Sequence, residues 1–308
     1  MAVPAGAGDT PPLAIAPDDL RQLADHDARH RTFPGGAGPL TALDTGGDGE
    51  RGTVLLVPGY TGSKEDFAPL LRPLCVAGFR VVALDQRGQY ESPGPDDPAR
   101  YTVAELACDL VAVARELRPG CPALHLVGHS FGGLVSRAAV LADPGLFTSL
   151  TLLGSGPARL VGPRAQLLDH LAPLLDAGGL ELVNETLEQL SMTDPRAQAV
   201  PAATRDFLTR RFLANAEAGL RGMADAMTTE PDRVAELAAA GVPVLVAHGA
   251  ADDAWTPAAQ ADMARRLGAR HEVVPGSIHS PAIENPERTL EVLLDFWSSD
   301  PAAAAARS

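Results

Sequence analysis

Short runs of apolar, largely branched residues recur along the chain, and between most of them lie longer segments whose apolar positions repeat every three or four residues. The short runs predict strands near 53–57, 80–84, 123–127, 148–153, 243–247 and 270–274. The longer segments predict helices near 64–77, 102–117, 131–142, 257–267 and 285–298. Alternation of this kind predicts an α/β fold, a mostly parallel central sheet flanked by helices and joined by right-handed crossovers. Ahead of it, a polar–apolar pattern between Arg31 and Thr45, broken at Pro34-Gly35-Gly36, predicts an antiparallel hairpin at the sheet edge. Thr102-Val103-Ala104-Glu105 has the pattern of a capping box opening its helix. Residues 156–241 break the alternation: helical patterns recur at 165–172, 179–190, 202–217 and 232–240, with no strand-like run. The expected organisation is one α/β domain built from 13–155 and 242–300, with 156–241 inserted. The small, Pro- and Gly-rich segment 1–12 and the alanine-rich tail 301–308 are expected to be disordered.

One strand runs directly into chemistry. Leu124-His125-Leu126-Val127-Gly128-His129-Ser130-Phe131-Gly132-Gly133 is an apolar run entering a G-x-S-x-G turn, followed by the helix-compatible stretch Leu134 to Leu141. This is the pattern of a nucleophile elbow, with Ser130 at its tip. The residues two before and two after such a serine crowd one another, so both must be nearly free of side chain, as Gly128 and Gly132 are. The following helix turns its N-terminal N–H groups toward the site, which favours a developing oxyanion.

A serine hydroxyl needs a base, and an imidazole in turn needs a carboxylate to fix its tautomer. Both follow in the chain. Val242 to Gly249 is a strand-like run succeeded by Ala250-Ala251-Asp252-Asp253-Ala254-Trp255, and Glu272-Val273-Val274-Pro275 gives way to Gly276-Ser277-Ile278-His279. Ser130, Asp252 or Asp253, and His279 therefore each lie just past the carboxyl end of a predicted strand, the edge where open α/β sheets bind ligands. His129, beside the serine, is expected to pack rather than to react, and Trp255 either to line the pocket or to pack.

Upstream, Thr53 to Val57 leads into Pro58-Gly59-Tyr60-Thr61-Gly62, and Ala83-Leu84 leads into Asp85-Gln86-Arg87-Gly88-Gln89-Tyr90-Glu91-Ser92. With the elbow and its partners, these segments resemble the α/β-hydrolase superfamily of serine hydrolases over roughly residues 33–299. The first resembles the His-Gly-x segment that supplies an oxyanion-hole N–H, with Pro58 in place of the histidine and Tyr60 at the donor position. The second resembles the D-x-R-G-x-G-x-S stretch, with Tyr90 in place of its second glycine. The resemblance implies a second donor at Phe131, a helical cap over the site at 156–241, and Asp252 as the acid, three residues after the strand-end Gly249, with Asp253 the alternative. It implies a serine esterase or lipase-like enzyme that cleaves carboxylic esters through an acyl-enzyme, without cofactor or metal, its partners a small-molecule ester and water. C–C bond or lactone hydrolysis on the same triad is the related reading, and a slowly turning ligand-binding or signalling protein the distant one. Relatives acting on epoxides or haloalkanes carry an aspartate where this chain has Ser130.

Composition narrows the rest. With 308 residues, 45% of them hydrophobic, the chain can bury a large core. A formal net charge of −14 argues against nucleic-acid binding. Lys64 is the single lysine. Residues 1–12 have neither the basic start nor the apolar run of a secretory leader, and no stretch reaches the length of a membrane span. Cys75, Cys108 and Cys121 read as buried small hydrophobes rather than a disulfide framework, which together predicts a cytoplasmic enzyme. Nothing in the sequence specifies an oligomeric state.

Overall fold

The computed structural model of the chain describes residues 21–192 and 195–299; the expected disordered ends, 1–12 and 301–308, lie outside the described residues. Strands β1 (Arg29–Gly35) and β2 (Gly38–Asp44) form the edge hairpin, closing at Gly35 opposite Gly38. Six further strands are β3 (Thr53–Val57), β4 (Arg80–Leu84), β5 (Leu124–His129), β6 (Ser149–Leu153), β7 (Val244–Gly249) and β8 (Arg270–Val274). The sheet order is β1-β2-β4-β3-β5-β6-β7-β8, antiparallel across the first two junctions and parallel from β4 to β8.

Every residue of β3, β5 and β6 is buried, as expected of strands covered on both faces. Alternate residues serve opposite layers. Leu55 and Val57 join the core formed with α2 (Val103–Leu117) and α3 (Phe131–Ala142), while Val54 and Leu56 pack with α1 (Ala68–Val76) and with Trp297 near the chain end. The capping box at the start of α2 forms only in half. Thr102 Oγ1 accepts the Glu105 N–H at 3.2 Å, but the Glu105 carboxylate is drawn off by Arg87 and Arg100.

Between β6 and β7 the described chain is helical: α4 (Pro163–Ser191), α5 (Pro195–Gln198), α6 (Ala202–Leu213), α7 (Glu217–Thr229) and α8 (Val234–Ala239). A break at Gly178-Gly179 divides α4 into two helices. Where the sequence pattern suggests one helix over 202–217, the structure ends α6 at Leu213 and starts α7 at Glu217. Glycines in α7 obscure it in the sequence, and one has a packing reason: a Cβ on Gly222 would lie 2.2 Å from the Pro98 carbonyl oxygen. After β7 come α9 (Pro257–Leu267), α10 (Pro281–Glu284) and α11 (Pro286–Ser299). The expectation of three buried cysteines holds for Cys121 alone; Cys75 on α1 and Cys108 on α2 occupy the solvent faces of their helices. Among the described residues no helix is long and apolar enough to cross a membrane.

Candidate active site

The turn from β5 into α3 holds Ser130 at φ 53°, ψ −122°, and its N–H donates to the Leu153 carbonyl of the neighbouring strand at 2.9 Å. A Cβ on Gly128 would sit 2.4 Å from the Gly132 oxygen, and one on Gly132 would sit 2.3 Å from the Pro58 oxygen, so the elbow has no room for side chains at either position. Among the described residues three non-glycine residues have positive φ: Thr61, Tyr90 and Ser130. All three belong to the loops at the carboxyl ends of β3, β4 and β5. Backbone strain of this kind persists only where the surroundings over-determine it.

The loops after β7 and β8 bring two more side chains to Ser130. His279 Nε2 lies 2.9 Å from Ser130 Oγ, and His279 Nδ1 lies 3.0 Å from Asp252 Oδ1. Ser130, Asp252 and His279 are all buried. Asp252 is fixed independently of the histidine, since Oδ1 accepts the Ala254 N–H and Oδ2 accepts Gln260 Nε2, both at 2.9 Å. An ionised carboxylate can only accept, so it selects the imidazole tautomer with hydrogen on Nδ1 and leaves the Nε2 lone pair facing the serine hydroxyl. Asp253 is exposed, and its Oδ1 accepts from Arg164 Nη2 at 2.7 Å. Its carboxylate still approaches within 4.8 Å of ligand atoms on Asp252 and His279, but those two groups are spent on one another. Nor does Asp253 cap α9; Thr256 does, through its Oγ1.

The expected donors, Tyr60 and Phe131, lie beside the serine. Gly59 packs so closely that a Cβ there would be 3.0 Å from Ser130 Cβ, which sets the Gly59–Tyr60 peptide against the nucleophile position. Phe131 is the first residue of α3, where backbone N–H groups have no partner within the helix. A cavity of about 490 Å3 opens above, floored by Tyr60, His129, Ser130 and His279 and walled by apolar side chains of α4, α6 and α7 such as Leu168, Leu175, Phe212 and Met227. Trp255 lines this cavity and also packs, donating from Nε1 to the Ala158 oxygen at 3.0 Å.

Several supporting residues carry no motif of their own. His129 lines the floor, and its Nε2 donates to the His279 carbonyl at 2.7 Å, so it braces the histidine loop. Glu284 Oε2 accepts the N–H groups of Ile278 and Ser280 on either side of His279. Lys64, fully buried, places Nζ 2.8 Å from Asp85 and Glu91 and 3.0 Å from Glu65, joining the loop after β3 to the loop after β4. Burial alone would lower the Lys64 ammonium, but Asp85 and Glu65 hold it above its ordinary range. The Tyr90 ring lies over this ammonium at 4.5 Å.

A profile of the alpha/beta hydrolase family matches residues 54–292. The chain belongs to that family. Among relatives of this hydrolase, RutD of Variovorax paradoxus, named as a carbamate hydrolase, is 36% identical over 213 residues, 68% of this chain and 76% of its own. A thermophilic esterase from Thermogutta terrifontis superposes with a TM-score of 0.70 at 24% identity, over 88% of this chain and 98% of that one. The enol-lactonase from Burkholderia xenovorans gives 0.74 at 21% identity, over 87% and 100%. At such identities the two structures establish a shared fold.

Two buried histidines of this hydrolase tie its stability to pH. Burial, then the charge of neighbouring His279, lowers His129 to about 4. Burial, then Arg51, lowers His125 to about 4; its Nδ1 lies 2.8 Å from Ser149 Oγ and its ring stacks on Trp297. An unfolded histidine titrates near ~6.5. From there down to about pH 4 the unfolded chain takes up protons that the folded chain refuses. Stability present above that window is therefore lost as pH falls through it, by on the order of 3 kcal/mol per histidine. Burial pushes Asp85 up to about 7, so its proton uptake in the folded chain opposes the histidines over the same window. Urea unfolding at a series of pH values therefore compares variants: as pH falls, wild type should lose more stability than His125→Gln. Equal pH dependence of the midpoint in wild type and His125→Gln between about pH 6.5 and 4.5 contradicts the assignment.

Proposed function

We propose that the protein is a serine hydrolase that cleaves carboxylic esters through an acyl-enzyme. Ser130 attacks the carbonyl carbon, His279 Nε2 takes the hydroxyl proton and returns it to the leaving alcohol, and Asp252 holds the imidazole and stabilises the imidazolium. The N–H groups of Tyr60 and Phe131 receive the charge that builds on the carbonyl oxygen. Water, activated by the same histidine, then attacks the acyl-enzyme and regenerates Ser130. No cofactor or metal enters the scheme. Residues 156–241 act as a cap whose apolar wall takes an uncharged acyl chain or aromatic group. The compartment proposed is the cytoplasm, a reading that rests on the cysteine usage.

The observation that carries this reading is the continuous bridge from Ser130 Oγ through His279 to Asp252, at 2.9 and 3.0 Å, at the floor of an apolar cavity. The likeness to RutD favours a second reading in which the attacked carbonyl is that of a carbamate, on the same three residues. A panel of p-nitrophenyl esters, lactones and carbamates on the free enzyme separates the two, with a separate sample labelled by a fluorophosphonate to report on Ser130. Labelling of Ser130 with ester turnover dominant is the expected result. Preference for carbamates would move the substrate assignment, and absence of both labelling and turnover would remove the hydrolase reading.

A further inference from the structure

We infer that Gln89 is a positioning residue for oxyanion stabilisation: its buried amide fixes the plane of the Gly59–Tyr60 peptide and so aims the Tyr60 N–H at the carbonyl oxygen attacked by Ser130. This deepens the proposed function and rests on it for the roles of Ser130 and Tyr60.

Gln89 is fully buried, and its Nε2 donates to the Gly59 carbonyl oxygen at 2.8 Å. No peptide bond among the described residues is cis. In a trans peptide the C=O and N–H point in opposite directions, so anchoring the Gly59 oxygen on one side directs the Tyr60 N–H to the other. Ser130 is close to this same peptide, its Oγ 3.4 Å from where a Gly59 Cβ would lie. A peptide preceded by glycine turns over easily, since no side chain restrains its ψ. It needs an external anchor.

Further bonds order the same stretch of backbone, from both loops. The Gly62 N–H gives the Gly59 oxygen a second bond at 3.1 Å, and Gln86 Nε2 donates to the oxygen of Pro58, the preceding peptide, at 2.9 Å. Gln86 Oε1 and Gln89 Oε1 are buried and have no hydrogen-bond partner. An acceptor left unpaired carries a desolvation cost, so each amide is retained for its donor end. The left-handed φ angles of Thr61 and Tyr90 flank the contact, one on each loop, and the Lys64–Asp85 pair locks those loops together.

Two variants and two reactions test this. A p-nitrophenyl alkylphosphonate reports one attack by Ser130 through release of p-nitrophenolate, and p-nitrophenyl acetate reports turnover. Gln89→Met keeps the volume but not the donor; it should slow phosphonylation and lower kcat by about 10- to 100-fold, with KM within about threefold. Gln89→Glu donates only when protonated, so its rate relative to wild type at the same pH should rise as pH falls from about 8 to about 5.5. Normalising to wild type removes the titration of the other groups. A packing role predicts a ratio independent of pH. The inference is overturned if Gln89→Met reacts within about twofold of wild type or the Gln89→Glu ratio is flat; if Gln89→Met does not fold, the ratio decides. Failure of wild type itself to react with the phosphonate would instead sink the Ser130 reading, and the inference with it.

Discussion

Ser130→Ala is expected to lower ester turnover by roughly 10³- to 10⁶-fold, or about 4–8 kcal/mol of transition-state stabilisation. On the proposed mechanism, loss of Oγ removes the covalent intermediate and leaves water to attack a substrate held against the Tyr60 and Phe131 N–H groups. The fold should persist. The elbow is held by the Ser130 N–H bond to Leu153 and by the crowding of Gly128 and Gly132, none of which involves the hydroxyl. Steady-state rates on p-nitrophenyl acetate, with thermal melting as the folding control, measure both. A folded variant retaining more than about a tenth of wild-type activity would remove Ser130 from the chemistry.

The second large effect is expected at Asp252. Both of its oxygens accept: Oδ1 from Ala254 N–H and His279, Oδ2 from Gln260. Asparagine has one acceptor, so either orientation sets its NH2 against an existing donor. The orientation that turns NH2 toward His279 selects the tautomer with Nδ1 bare and hydrogen on Nε2, which cannot take the Ser130 proton. Asp252→Asn should therefore lower kcat by about 10²- to 10⁴-fold. Asp253→Asn, which loses an exposed pairing with Arg164 and some negative field near His279, should cost less than about tenfold. Kinetics of the two single variants rank them, and the reverse order would transfer the role to Asp253.

Much of the framework is readable from the chain because its signals are local. The strands from β3 to β7 are short, mostly apolar runs closed by turn residues, β8 ends in Val273-Val274, and Ser130, Asp252 and His279 each follow such a strand end within a few positions. Sequence order alone puts them at one edge of the sheet. What supports them is not local. Gln86 and Gln89 reach backbone oxygens 28 and 30 residues away, and His129 reaches one 150 residues away. A glutamine in a glycine-containing loop has no periodicity that announces such a bond. The helix α7 is hidden for a different reason, because glycine lowers helix propensity wherever close packing demands it.

The fully buried Lys64 has a practical corollary. It is the single lysine, so the native fold presents no lysine amine to acylating reagents. Modification at Lys64 must wait for the loops after β3 and β4 to part, and its rate then counts those openings. An acylated Lys64 would leave Asp85 buried without its counter-charge, so an opened molecule caught by the reagent does not readily close again. A routine labelling reaction thus becomes a one-way recorder of breathing at the edge of the sheet that carries Ser130.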